Sequence, residues 1–396
     1  MRGGSELSKQ ALRDWGKNAF RYSALVPRGV VILRRVQQRI RDLRCEPRCI
    51  VARPRLYVSL LGDPETLGYA LRQWRGLLEG VEVVLIVERS DAVSPSDIPN
   101  GWGVVSLSDV MRLHATGNQA GSVVLYLVNS KKNFGLIGSL YRFRHLLVFH
   151  GEGDKIANQT ASWRAYPEIA VSGDAAVERL RKVGVKSRLH IIGRPQVPPF
   201  AVLVRDRGGG ILYAPTWEGG NERENYSSLL MELRQPLIDL LGNQGQRVIV
   251  KLHPKTGVRR ADFAFVSAAW REVADRTPGM VFASPERDVR EFFAAARVLV
   301  TDISSVAADF MPSLRPIVYL NPFGVDRAEF TRRFPTTRHA HIASSTEEFR
   351  ISLADALGQG SVVGADREAL IRHVVPFWGE ESRRAFFRAL ALGEAE

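Results

Sequence analysis

"RVLVTDISSVAADFMPSLRPIVYLNP", residues 297–322, holds the fold in miniature. An apolar, β-branched run ends at Thr301 and Asp302. Two serines follow where a helix should begin, and Arg315-Pro316 precedes a second apolar run, "PIVYLNP". Short strands of this kind, without polar alternation, are expected when helices cover both faces of a parallel sheet.

The same alternation spreads in both directions. "GILYAPTW", "RVIVKLHP" and "MVFAS" precede the opening stretch as strands, with helical segments between them. Nearer the N-terminus come "LYVSLLG", "VEVVLIVE", "SVVLYLVNS", "HLLVFHG", "EIAVSG" and "RLHIIG". Between the two series lies "GRPQVPPFAVLVRDRGGG", residues 193–210, whose prolines and glycine cluster break the rhythm and mark a domain boundary. A chain of 396 residues is too long for one comfortable core, so two domains are expected. The divisions are 1–55, a basic helical extension, then 56–200 and 201–396, two doubly wound α/β domains facing a cleft.

Composition excludes several classes. With 45% hydrophobic and 24% charged residues the chain is globular rather than disordered. No apolar run reaches the roughly 18 residues of a spanning helix. The start, "MRGGSELSKQ", has no apolar signal region, so a cytoplasmic location is expected. Cys45 and Cys49 are too few for a disulfide framework or a zinc site and read as bystander thiols.

The net charge of +13 is concentrated at one end: residues 1–55 hold 14 Lys or Arg against 4 Asp or Glu. There Val30, Leu33, Val36, Ile40 and Leu43 form a helical stripe, with Arg34, Arg35, Arg39 and Arg41 mostly opposite it. Such a helix either lies on an anionic membrane surface or packs on the protein with a solvated Arg face. Nucleic-acid binding is not expected, because the folded domains carry little net charge and the basic helix lacks interleaved aromatics.

Ligands of open α/β sheets bind past the strand C-termini. Four such ends are polar here: His150 to Lys155 ("HGEGDK"), Thr216 and Trp217, Lys251 and His253, and Thr301 and Asp302 with Ser304 and Ser305 beyond them. The first N–H groups of the helix after Asp302 are unpaired in isolation. They either take a capping side chain from Asp302, Ser304 or Ser305 or cradle a phosphate. Asp309, one turn on, caps a ligand hydroxyl or pairs with Arg315. Histidines at two of these ends, on opposite sides of the expected cleft, suit proton transfer or phosphate contact. P-loop, dinucleotide, H-E-x-x-H, D-x-D and G-x-S-x-G patterns are absent, and no cofactor or metal is expected.

Together, "ILYAPTWEG", "VIVKLHP" and "VLVTDISSVAADFMPSLRPIVYL" resemble the C-terminal half of the CDP-glycerol glycerophosphotransferases, the teichoic-acid primases and polymerases. "FHGEGDK" is similar to their N-terminal histidine motif in a variant form. The resemblance spans about residues 145 to 322. It implies a GT-B arrangement of two Rossmann-like domains, with the acceptor on the side of 56–200 and CDP-glycerol, or another CDP-polyol, on that of 201–396. It makes His150 the base on the acceptor hydroxyl and gives His253 the donor phosphates. Thr301, Ser304 and Ser305 would hold the pyrophosphate, and Asp309 the glycerol or cytidine end. Lys155, Thr216, Lys251 and Asp302 complete the expected substrate-binding set. A polyprenyl-linked or polymer acceptor is implied, which gives the basic helix a membrane to rest on at the inner face.

Two departures stand out. The family's His-Gly-Thr-Pro is here "HGEGDK", which places Glu152 and Asp154 beside the expected base, where they would select a different acceptor or raise the pKa of His150. The family's closing Asp-Gly segment is replaced by "FWGEESRRAFFRAL". The alternatives are a GT-B glycosyltransferase using a nucleotide sugar and a catalytically silent GT-B-like binding module.

Overall fold

The computed structural model describes residues 56–88, 98–115, 121–149, 151–197, 209–244, 247–358 and 364–391. The basic extension expected at residues 1–55 and His150 lie outside the described residues.

Two parallel sheets build the molecule. The first contains β1 (Leu56–Ser59), β2 (Val83–Val87), β3 (Gly103–Ser106), β4 (Val123–Tyr126), β5 (Arg144–Val148), β6 (Glu168–Val171) and β7 (Arg188–Ile191), in the order β3-β2-β1-β4-β5-β6-β7. The second contains β8 (Gly210–Tyr213), β9 (Val248–Val250), β10 (Met280–Phe282), β11 (Ala296–Thr301), β12 (Ile317–Leu320) and β13 (His341–Ala343), in the order β10-β9-β8-β11-β12-β13. Each order reverses once, between β1 and β4 and between β8 and β11. Ligand crevices open past the strand ends at such points.

The first sheet is connected through α1 (Pro64–Trp74), α2 (Leu107–Ala115), α3 (Lys131–Ser139) and α4 (Asp174–Lys182). The second uses α5 (Arg234–Gln244), α6 (Ala261–Arg276), α7 (Ser305–Phe310), α8 (Arg327–Arg333) and α9 (Thr346–Gly358), and α10 (Ala365–Val374) and α11 (Gly379–Leu390) close the chain. None of the described helices is long and apolar enough to cross a membrane.

Local sequence explains the elements. Asp63 caps α1 by accepting from the Thr66 N–H, and Pro64 occupies the first turn, where no N–H is needed. Leu67, Ala70, Leu71 and Trp74 then bury one helical face against the first sheet. Every residue of β1, β4, β8 and β12 is buried, because helices cover both sides. The two strands that escape the sequence pattern, β3 and β13, lie at sheet edges; β3 is half-exposed and β13 has three residues.

At the C-terminus the chain returns to the first sheet. Gly193 has φ +67°, and a Cβ there would sit 2.0 Å from the Phe377 carbonyl oxygen, so only glycine lets the two backbones meet. Arg194 donates its N–H to that carbonyl and bridges to Trp378. Helix α11 then buries Ala385, Phe386, Phe387, Ala389 and Leu390 in the core of the first sheet, with Phe386 5.0 Å from the Trp74 ring. Each large side chain buried this way contributes about 1.5–3 kcal/mol. "FWGEESRRAFFRAL" is therefore a docking helix for the opposite half of the chain.

Candidate functional site

The ends of β5, β8, β9 and β11 converge on one seam between the sheets. After β11, Asp302 is completely buried and faces inward. It accepts from the Thr216 N–H at 3.0 Å and from the N–H and hydroxyl of Ser228 at 2.9 and 3.0 Å. Asp302 thus ties the β8 loop to β11 and does not cap α7. Burial raises its pKa to about 6, against those hydrogen bonds and nearby Lys155. Thr301 is equally buried, and its hydroxyl donates to the Ala214 carbonyl at 2.6 Å, another stitch between β8 and β11.

Capping belongs to Ser304, whose hydroxyl accepts from the Val306 N–H at 3.3 Å. Ser305, the first residue of α7, packs against Gly151 on the loop after β5. A Cβ at Gly151 would stand 2.9 Å from the Ser305 Cβ, so glycine next to His150 is what lets the two halves touch there. Lys155, four residues on from Gly151, donates to the Thr216 hydroxyl at 2.7 Å. Its ammonium also lies 5.8 Å from the Tyr226 ring centroid. Burial lowers its pKa to about 8, while Asp302 and Glu224 oppose the shift.

His253 sits at the end of β9 with its ring stacked on Trp217, at 5.8 Å between centroids and 17° between planes. The Lys255 N–H donates to its Nδ1 at 3.1 Å, which leaves the proton of the neutral ring on Nε2. The ring is thus oriented as an Nε2–H donor, the form suited to a phosphate oxygen. Lys251, two residues earlier, donates to the Leu252 and Pro285 carbonyls at 2.9 and 3.0 Å, and burial lowers its pKa to about 8. Tyr69, on α1 of the first half, lines the narrow cavity beside Lys251, His253 and Ser304. Burial raises its hydroxyl pKa to about 12, with Asp288 adding to the effect.

Two expectations are corrected. Asp309 does not pair with Arg315: it accepts from Arg194 at 2.6 Å in a buried ion pair, while Arg315 donates to the carbonyls of Phe293 and Ala294. Nor do Glu152 and Asp154 form an acidic step in the cleft. Glu152 is fully buried, pairs with Arg179 and accepts from the Ser172 hydroxyl. Asp154 pairs with Arg179 at 3.2 Å and accepts from the N–H and hydroxyl of Thr336 at 2.8 and 2.6 Å. The two carboxylates of "HGEGDK" are consumed inside the protein, because the apolar surroundings favour them only when paired.

The structure therefore brings Lys155, Thr216, His253, Ser304 and Ser305 to one seam and gives Thr301, Asp302 and Asp309 inward partners. Sequence patterns gave no notice of Arg194, Ser228, Tyr69 or Thr336. Only "GRP" at the end of β7, a charged strand end like the others, was a usable signal for Arg194.

Residues 203–333 match the family model described as CDP-Glycerol:Poly(glycerophosphate) glycerophosphotransferase. A search of the curated proteins returns no match. Among solved structures, the wall teichoic acid polymerase TagF superposes with a TM-score of 0.54 at 15% identity, covering 94% of this chain and 97% of that one. A form of TagF soaked with CDPG gives 0.52 at 13% identity over the same shares. A putative UDP-N-acetylglucosamine 2-epimerase from Listeria monocytogenes gives 0.52 at 12%, covering 86% of this chain and 96% of that one. At these identities the likeness establishes the fold, two Rossmann-like domains in a GT-B-like arrangement. Within that fold, the segment from 203 to 333, which carries the β8, β9 and β11 strand ends, is the part of the chain similar to the CDP-glycerol:poly(glycerophosphate) glycerophosphotransferases.

Proposed function

We propose that this protein transfers a polyol phosphate from CDP-glycerol, or a related CDP-polyol, to a hydroxyl of a membrane- or polymer-linked acceptor in cell-envelope polymer synthesis. The observation that carries the reading is the convergence of Thr216, His253, Ser304 and Ser305, inside the segment that matches the family, with Lys155 from the opposite half. Phosphoryl transfer depends mostly on positioning and on charge stabilisation, which such a set supplies.

In the reaction the acceptor oxygen attacks the phosphorus bearing the glycerol, and the bond to the CMP oxygen breaks. CMP leaves with the electron pair, and the acceptor proton passes to His150. His253 donates from Nε2 to the donor phosphates, and Lys155, beside Thr216, balances charge as CMP departs. Residues 56–200 serve the acceptor side and residues 201–396 the donor side, with α11 joining the two. The basic segment at 1–55 holds the enzyme to the anionic inner face of the membrane.

Incubation with CDP-glycerol and a lipid-linked acceptor mimic should release CMP. Release of UDP from a UDP-sugar, with none of CMP from CDP-glycerol or CDP-ribitol, would overturn the assignment in favour of a glycosyltransferase. Deletion of residues 1–44 should reduce pelleting with anionic vesicles; unchanged pelleting would remove the membrane role.

A further inference from the structure

The second half of the chain holds a pocket of about 610 Å³, well within the range of ligand sites. Tyr226, Leu230, Phe323 and Phe334 form its apolar walls, and Arg223 and Arg333 line it with charge. None of the residues singled out in the sequence lies in it.

Its charge is unbalanced. Neither Arg223 nor Arg333 has a carboxylate partner among the described residues, and the acid at the rim, Glu222, is occupied by Arg259 and Arg260. Arg333 is held in place by stacking, 5.0 Å from the Phe323 centroid and 5.3 Å from that of Phe334. Leu230, 42% exposed, leaves apolar surface open in the same cavity.

The rings do not form an open slot for a nucleobase. Phe323 stacks on Phe334 at 5.4 Å, Arg333 lies over both, and Tyr226 meets both edge-on at about 6 Å. What the pocket offers is the Arg333 guanidinium over aromatic rings and a second guanidinium, that of Arg223, in its lining, which suits a flexible chain of phosphates separated by short polyols. It also adjoins the reacting seam. The Tyr226 hydroxyl accepts from the Ile156 N–H at 3.0 Å, next to Lys155 on the loop that follows His150.

We propose that this pocket is an acceptor subsite that holds a glycerophosphate segment of the polymer behind the reacting hydroxyl, with its phosphodiester groups paired to Arg223 and Arg333. The assignment rests on the transfer reaction above and adds to it the place where the polymer lies, between Arg223 and Arg333.

The test is calorimetric titration of the full chain with a synthetic oligo(glycerophosphate), with inorganic phosphate and with CMP. The oligomer should bind the unaltered protein, and the Arg223→Ala/Arg333→Ala variant should lose about tenfold or more in affinity. CMP affinity should stay within about twofold, and Arg223→Lys/Arg333→Lys should recover part of the loss because charge is kept. Inorganic phosphate binding as tightly as the oligomer would reduce the site to a simple anion pocket and overturn the proposal. So would unchanged oligomer binding in the alanine variant, and loss of CMP binding would make this the nucleotide site. CMP release from CDP-glycerol is scored separately on the unaltered protein. If it fails while oligomer binding depends on the arginines, the reaction is wrong and the pocket stands; the reverse result sinks the pocket alone.

Discussion

Asp154, on the loop after β5, accepts both the backbone N–H and the hydroxyl of Thr336, which lies in the other half of the chain. Arg179 supplies its countercharge from α4. One carboxylate thus joins the first sheet, the loop bearing the expected base, and the segment after α8. Asp154→Ala would leave a buried N–H and part of Arg179 without a partner. We expect a loss of about 2–4 kcal/mol in urea unfolding. Thr336→Val, which removes only the hydroxyl, should cost about 1 kcal/mol.

The buried pair Arg194–Asp309 separates a structural role from a substrate contact. Asp309→Ala should cost about 3–5 kcal/mol, because it strands a buried guanidinium. Arg194→Met/Asp309→Leu should regain most of that stability. If Asp309 also touches the donor, the double variant will fold but show a raised KM for CDP-glycerol; an unaltered KM assigns Asp309 to the fold alone.

Lys155 sets an alkaline limit on donor binding. Lys155 is charged below about 8, and its ammonium is the group that attracts an anionic donor, so binding should be stronger below that value than above it. Above about pH 8 the ammonium loses its proton and CMP affinity should fall. Lys155→Met should bind CMP more weakly throughout and lose that alkaline limb. The stability signs differ. Asp302, with its pKa raised from 3.8 to about 6, holds more protons folded than unfolded over that range, so its contribution declines as pH rises through it. Lys155, lowered from 10.5, holds fewer protons folded, so its contribution grows from about pH 8 upward. Chemical unfolding at a series of pH values checks both signs.

His253→Ala should lower CMP release about 100- to 1,000-fold, the usual loss for one preorganised donor to developing charge. Its half-buried ring rests on Trp217 rather than in a core cluster, so Tm should move by only a few degrees. Retention of most activity would remove His253 from the reaction.

Most of the architecture was legible in the sequence because both sheets are buried on two faces. Continuous apolar runs such as "VVLIV" and "RVLVT" have no other stable setting in a chain with this alternation. The polar strand ends stood out for the same reason, as charged or hydroxyl residues where an apolar run stops. The edge strands β3 and β13 were hidden, since an edge strand is short and only partly covered.

For the site, sequence determined which residue types stand at the strand ends: Thr216, His253, Ser304 and Ser305. Tertiary structure alone decided where their neighbours point. Asp302 and Asp309 stand in the same line of sequence as Ser304 and Ser305. Burial turns both acids toward partners from distant segments, Thr216 and Ser228 for one and Arg194 for the other. Glu152 and Asp154 follow the same rule. A carboxylate taken out of water must find donors, and the donors that Arg179 and Thr336 provide are placed by the fold, 25 and 182 residues beyond Asp154.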